Sequence, residues 1–149
     1  MDVISNRLIE LLNYRIEQET ISSFLYKSMS MWLNVNGFIG ASKKWKEYEQ
    51  EELKHADWSY NYLLDLNIVP KTPIIPPQPN TYKGLAQIIS LSYEHELNIT
   101  KQCQEFCKEC LAEGDFMSLT IAQQFVKEQI EELSKTQVWL DKLEAFGTD

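Results

Sequence analysis

The sequence is poor in positive charge. Its 149 residues include 14 lysines and arginines against 22 aspartates and glutamates, which gives a formal net charge of -8 at pH 7. The basic residues are scattered, whereas a nucleic-acid-binding face needs a basic patch that neutralises phosphates. We therefore expect no nucleic-acid partner. The acidic balance either favours cations as ligands or only keeps the protein soluble.

Long apolar runs are also missing. No stretch approaches the roughly 18 consecutive apolar residues of a membrane span, and the first residues contain no basic segment leading into an apolar one. We expect no membrane partner and a cytoplasmic protein. Hydrophobic residues nevertheless make up 44% of the chain, which is enough to bury a core in one domain over residues 1–149.

Cysteine is scarce and unevenly placed. The three cysteines, Cys103, Cys107 and Cys110, lie on one side of one predicted helix. An odd number clustered in this way is not a disulfide framework and fits a reducing compartment. A zinc site would need further ligands from elsewhere, so we interpret Cys103 and Cys110 as small buried apolar side chains.

All five prolines lie between Pro70 and Pro79. This segment cannot be helical and should be extended and stiff. Amphipathic stretches on both sides of it predict four long helices. They run from 3 to about 34, from 38–42 to about 66, from 82 to about 112 and from 116 to about 143.

The length of the proline-rich segment predicts the topology. A helix of about 28 residues is about 42 Å long, and the roughly 15 residues from 67 to 81 span about 46 Å when extended. Antiparallel neighbours need only a few connecting residues, so we predict parallel second and third helices joined by a crossover. The alternative interpretation of this segment is a flexible surface loop.

Polar residues interrupt the inward stripe of every predicted helix near its middle. They are Glu19, Glu52 with His55 one turn later, Glu96, and Gln129 with Glu132. One inward glutamate is usually solvated at its tip, but several carboxylates forced together would repel one another and take up protons. A pair of divalent metals is the economical explanation. Oxygen-rich ligation with one imidazole suits iron or manganese better than structural zinc.

The only other histidine, His95, points about 100° away from Glu96 around its helix. We interpret it as a surface or packing residue. The sequence offers no convincing catalytic triad or activated nucleophile.

The chain resembles the ferritins, and among them most closely the bacterial non-haem type. The resemblance covers nearly the whole chain and is carried by L-N-Y-R-I-E-Q-E-T-I-S-S-F-L-Y, E-Q-E-E-L-K-H-A, E-L-N-I-T and V-K-E-Q-I-E-E-L. It implies an all-α, ferritin-like four-helix bundle with a long crossover between helices 2 and 3. It also implies a ferroxidase, an Fe(II):oxygen oxidoreductase that binds two Fe(II), oxidises them with O2 and deposits Fe(III) in a protein shell.

The resemblance also implies roles for single residues. Glu19, Glu52 and His55 would hold the first iron, with Glu52 bridging, and Glu96 and Glu132 would hold the second. Gln129 would lie beside them, and Tyr26 matches a tyrosine that family members keep next to the di-iron centre. A core aromatic with a hydrogen-bonded hydroxyl is a compatible role for Tyr26. A possible third iron site, facing the storage cavity, would comprise Glu51, Glu128, Glu131 and Glu132.

Two positions depart from family patterns. Haem-containing ferritins place a methionine where this sequence has Leu53, which has no lone pair for iron, so we expect no haem. Ferritins of this type usually continue into a short fifth helix at the four-fold axes of a 24-subunit shell, whereas this sequence stops at Asp149. Most contacts in such shells come from the sides of the bundle, where aromatic residues such as Trp32 and Trp58 favour interfaces. We therefore expect self-association into a 24-mer with wider four-fold openings, rather than a dimer.

Three alternatives come from other classes. A non-storing di-iron oxidase or peroxidase of the rubrerythrin type would usually carry a second Glu-x-x-His and a cysteine-rich module. A DNA-protecting miniferritin would place its ligands between subunits and often adds a basic tail. A non-catalytic helical bundle would bind no stoichiometric metal.

Overall fold

The computed structural model describes residues 2–147. Over this range the chain forms four helices and no strand: α1 (Asn6–Val35), α2 (Ile39–Asp65), α3 (Leu85–Glu113) and α4 (Phe116–Phe146). The predicted all-α class and four-helix count are confirmed. Helix α4 ends at Phe146, slightly beyond the predicted residue 143, and Thr148 and Asp149 lie outside the described residues.

Local side chains and one glycine set the helix ends. Ser5 begins α1 because its hydroxyl accepts the N–H of Leu8 at 3.2 Å, so the helix starts later than the predicted residue 3. Gly114 ends α3 in the left-handed conformation, with φ of 66°. The next residue, Asp115, accepts the N–H of Ser118 at 2.9 Å and starts α4. The predicted stop and cap between these helices are confirmed.

Side-chain contacts establish the helix directions. Ser30 and Ser42 donate to each other's backbone carbonyls at 2.8 Å, which joins α1 to α2 beside their short turn as an antiparallel pair. The contact of Arg15 with Cys103 and that of Ser22 with His95 show that α1 and α3 also run antiparallel. Because α2 and α3 are both antiparallel to α1, they are parallel to each other. The predicted crossover is confirmed.

The proline-rich connection follows α1. The backbone N–H of Lys71 donates to Asn13 Oδ1 at 2.9 Å, and the Ser28 hydroxyl donates to the Pro79 carbonyl at 2.7 Å. Asn13 and Ser28 are separated by about 22 Å of helix at 1.5 Å per residue. The segment is therefore attached to α1 at both of these points and runs along the bundle. It is not a flexible surface loop.

Two apolar clusters lie at opposite ends of the bundle. One includes Leu8, Leu12, Ile99, Phe106 and Phe125, and the other includes Met29, Leu33, Trp45 and Ile88. Full burial of a large apolar side chain contributes roughly 1.5 to 3 kcal/mol. The clusters together offset the cost of removing the polar groups between them from water.

Helix α4 buries Phe125 and Glu132, whereas Val126 and Leu133 beside them are half-buried. Phe125 packs against Trp58 of α2, with ring centroids 5.2 Å apart. Within residues 2–147, no helix has the length and apolar character needed to cross a bilayer.

Candidate metal centre

Six polar side chains from all four helices meet in the middle of the bundle, and none is more than 5% exposed. They are Glu19 of α1, Glu52 and His55 of α2, Glu96 of α3, and Gln129 and Glu132 of α4. Each lies near the middle of its helix, and antiparallel pairing puts these middles at the same level. The structure thus brings together every residue that the sequence predicted for the di-iron centre.

The ligand-bearing side chains form two overlapping groups. Glu19, Glu52 and His55 each offer one ligand atom, and these atoms lie within 4.8 Å of one another. Glu52, Glu96 and Glu132 satisfy the same limit. Glu52 belongs to both groups, which is the position a bridging carboxylate occupies in a two-metal site of a helix bundle.

Several buried carboxylate oxygens lack a donor. Glu19 Oε2 and Glu52 Oε1 have no hydrogen-bond partner. Glu132 Oε2 has no well-aligned donor either, but the ammonium of Lys135 lies 2.7 Å from it, so we treat this oxygen as ion-paired. Burying an unpartnered carboxylate oxygen is costly. The unpartnered oxygens of Glu19 and Glu52 fit a site that binds a cation.

The acidic groups perturb one another. Burial, followed by the charges of Glu19 and Glu96, raises the pKa of Glu52 well above its ordinary value. Burial also raises the pKa of Glu132, to about 7, and Glu96 adds to that rise. Without a metal ion the buried Glu52 carboxyl group holds a proton that a metal ion would displace.

His55 presents different ring nitrogens to different partners. Its Nδ1 lies 3.2 Å from Glu52 Oε2 and 3.9 Å from Glu19 Oε2, at the centre. Its Nε2 lies 3.4 Å from Glu128 Oε1. With a metal ion bound at Nδ1, the ring proton would lie on Nε2, where Glu128 would accept it and orient the imidazole.

Tyr26 and Gln129, which belong to neither ligand group, donate hydrogen bonds to the Glu96 carboxylate. The Tyr26 hydroxyl donates to Glu96 Oε1, and Gln129 Nε2 donates to Glu96 Oε2 at 3.0 Å. Gln129 also donates to Thr100 Oγ1 at 3.0 Å. Both oxygens of Glu96 are therefore oriented before any ion binds. Burial and the neighbouring charge of Glu96 raise the pKa of Tyr26 well above its ordinary value, so its hydroxyl stays protonated.

The four acidic residues predicted for a third iron site do not all lie in one group. Glu128 joins His55 and Glu132 in a group whose ligand atoms lie within 4.8 Å of one another. Glu51 is 44% exposed at its side chain and pairs with Lys135. Glu131 is exposed and joins none of the metal-capable groups found among residues 2–147.

The sequence and the fold match known proteins. The family model for the ferritin-like domain matches residues 9–146. The chain belongs to the ferritin family. The predicted resemblance is confirmed, and family membership supports a general role in iron storage or oxidation.

Individual ferritins match along nearly the full length. A protein described as a probable bacterial non-haem ferritin-like protein of Haemophilus influenzae is 32% identical over 147 residues, which cover 99% of this chain and 89% of that protein. The bacterial non-haem ferritin of Escherichia coli is 29% identical over 145 residues, covering 97% and 88%. The solved structure of an open pore ferritin from the hyperthermophilic archaeon Archaeoglobus fulgidus matches with a TM-score of 0.95 at 30% identity, covering 98% and 90%.

This ferritin has a buried arginine at its centre that the sequence interpretation missed. Arg15 is 1% exposed, and its Nη1 lies 3.1 Å from Glu19 Oε1 and 3.3 Å from Cys103 Sγ. Its Nη2 donates to Gln102 Oε1. Arg15 precedes Glu19 by four residues on the same helix face, so the spacing alone could have paired them.

A second missed cation is Lys135, one helical turn after Glu132. Its Nζ lies 2.7 Å from Glu132 Oε2 and 2.9 Å from Glu51 Oε2. The spacing of three residues from Glu132 was the available signal. Sequence reasoning followed the carboxylates and overlooked the basic residues beside them.

The remaining singled-out residues have packing roles. His95 contacts the Ser22 hydroxyl at 2.7 Å and packs edge-on against Tyr26, which selects packing from the two predicted alternatives. Cys103 and Cys110 are buried in the apolar core, as predicted, and all three cysteines are free thiols. Leu53 lies on the outer side of α2 and is 44% exposed.

Proposed function

We propose that this ferritin is a ferroxidase that binds two Fe(II) in its carboxylate and histidine centre. It oxidises both with O2 and deposits Fe(III) in a shell built from copies of the chain. The observation that carries the proposal is that Glu52 is shared by two buried groups of ligand-bearing side chains. Family membership supports the same role.

The ligand assignment follows these two groups. Glu19, Glu52 and His55 would bind the first iron, and Glu52, Glu96 and Glu132 would bind the second. Hard anionic oxygen ligands favour Fe(III) over Fe(II), so the centre stabilises the product oxidation state. The four carboxylates also balance the charge of two Fe(II) ions.

The redox step balances with two Fe(II), one O2 and two protons from water. Each Fe(II) supplies one electron, and the two electrons with two protons reduce O2 to hydrogen peroxide. The protein would hold the two irons next to each other. The reactants are then already part of one complex and need not collide separately in solution. Tyr26, Gln129 and Glu128 keep Glu96 and His55 in binding orientations.

Storage requires that copies of the chain assemble. Exposed apolar side chains on α1, namely Phe24, Met31 and Val35, line a groove of about 370 Å³ with Pro79 of the crossover. Exposed apolar patches of this kind mark association surfaces. This surface supports self-association, for which the proposed species is the 24-mer.

Anaerobic titration followed by exposure to air tests the proposal. The metal-free protein should bind two Fe(II) per chain, and O2 should then oxidise this iron faster than it oxidises Fe(II) in buffer. Oxidation no faster than in buffer would end the ferroxidase proposal.

A further inference from the structure

Lys135 forms a cationic bridge between two helices at the edge of the centre. Its Nζ lies 2.7 Å from Glu132 Oε2 on α4 and 2.9 Å from Glu51 Oε2 on α2. Charge-assisted contacts of this length are the stronger kind of polar interaction. The ammonium thus holds two carboxylates together in the way a bound metal ion would.

The lysine is fixed in this position by its surroundings. Its side chain is only 22% exposed, and its Nζ lies 4.1 Å from the centroid of the Tyr48 ring, within cation–π range. The Tyr48 hydroxyl in turn accepts the indole N–H of Trp139 at 2.8 Å, which fixes the ring.

Glu51 and Glu132 are also two of the four residues predicted for a third iron site. A divalent ion held by their oxygens would lie about 4 Å or less from the ammonium and would be repelled by it. The other two predicted residues do not complete a separate site. Glu128 groups only with His55 and Glu132, which are already assigned to the two irons, and Glu131 is exposed.

We propose that Lys135 is a specificity-determining residue whose ammonium takes the place of a third metal ion and limits the centre to two Fe(II) per chain. This inference rests on the two-iron function proposed above and replaces the sequence-based expectation of a third site. The ammonium neutralises the outer end of the centre permanently, and a third iron cannot compete with a cation tethered to the chain.

The test is an anaerobic calorimetric titration of metal-free protein with Fe(II). The wild type should bind two ions per chain, and Lys135→Met, which keeps the length of the side chain but not its charge, should bind three. Lys142→Met is the matched control. It makes the same charge change on the same helix, in an exposed lysine whose Nζ lies 5.3 Å from the centroid of the Trp139 ring, and it should bind two. Lys135→Arg retains the charge and should also bind two.

The position of the added ion is tested separately. Adding Glu51→Gln to Lys135→Met should remove the third ion, because Glu51 is then a neutral ligand. Iron-soaked crystals of Lys135→Met should show an anomalous peak between Glu51 and Glu132. If the double variant still binds three ions, the location assigned to the blocked site is wrong.

The other outcomes separate this inference from the proposed function. Two ions in both the wild type and Lys135→Met would overturn the role of Lys135 and leave the two-iron centre standing. Three ions in the wild type would show that the ammonium does not block the site. No stoichiometric binding in the wild type would end both proposals. Should Lys135→Met fail to fold, Lys135→Gln makes the same test with another neutral side chain.

Discussion

Arg15 and Glu19 form an ion pair in which each side chain is only 1% exposed. Arg15 Nη1 lies 3.1 Å from Glu19 Oε1, while Glu19 Oε2 faces the centre without a hydrogen-bond partner. One oxygen of the Glu19 carboxylate is thus paired with Arg15, and the other oxygen can bind a metal ion. The arginine orients Glu19 much as Tyr26 and Gln129 orient Glu96.

Loss of the buried arginine should destabilise the metal-free protein strongly. Arg15→Met leaves Glu19 and Gln102 without their cationic partner, and breaking a buried ion pair in this way costs about 3 to 5 kcal/mol. Arg7→Met is the control, because Arg7 is 55% exposed and its pair with Glu10 belongs to the exposed class worth about 0 to 1 kcal/mol. Urea unfolding of both variants at equal protein concentration measures the difference. Equal losses of stability would contradict the structural role of Arg15.

Removal of the shared carboxylate should have the largest effect on iron oxidation. Glu52→Ala takes a ligand from both irons, so its oxidation rate should fall by more than the roughly 10- to 100-fold that loss of an outer partner costs. Glu47→Ala changes the same residue type on the same helix at an exposed position and should match the wild type. The initial rate of Fe(III) formation in air, at two Fe(II) per chain, gives the comparison. A Glu52→Ala protein as fast as the wild type would refute the ligand assignment.

The metal-free protein should lose stability as the pH rises from about 5 to about 8. Glu132 has a folded-state pKa of about 7 against an ordinary value of 4.5, so in this window the folded state holds a proton that the unfolded chain has released. This one group accounts for roughly 3 kcal/mol, and Glu52 acts in the same direction. Unfolding at several pH values in the presence of a chelator measures the slope. Glu132→Gln should flatten it, and stability that rises with pH would contradict the shifted carboxyl groups.

Anaerobic Fe(II) should reverse that pH dependence. Metal binding needs deprotonated carboxylates, so the stabilisation by Fe(II) should grow as the pH rises through the pKa of Glu132. The shift of the unfolding midpoint on adding Fe(II), compared at low and high pH, is the measurement. A shift that is independent of pH would mean that the iron binds elsewhere.

The purified protein should contain no haem. Leu53, where haem-containing ferritins carry a methionine, offers no lone pair to iron and lies on the outer side of α2. The absorbance spectrum after expression in haem-replete cells checks this directly. A stoichiometric Soret band would show that another residue binds haem.

Light scattering of the native protein should give a mass near 24 copies of the 17.5 kDa chain. The apolar groove around Met31 and Val35 would then be covered by neighbouring subunits, which lowers the exposed apolar area. A stable dimer that oxidises iron and then precipitates it would contradict the storage function while keeping the ferroxidase.

The sequence by itself determined the helices, their order and the residues of the centre. These features depend on local rules: Glu52 and His55 are one turn apart wherever their helix lies, Asp115 caps its own helix, and prolines exclude a helix after Pro70. The resemblance to ferritins added the roles of Tyr26 and the outer glutamates.

Only the tertiary structure decided which charges meet across helices. Lys135 and Glu51 belong to different helices, and whether their side chains touch depends on the rotation and axial position of both helices, which a hydrophobic stripe defines only approximately. The packing of Phe125 against Trp58 joins α4 to the same neighbouring helix. Arg15 meets Cys103 of α3 for the same reason, whereas its pair with Glu19 lies within one helix and follows from their spacing. The carboxylates and the cations one turn away from them could be read along the chain, but the contacts of those cations with other helices were decided only when the helices packed.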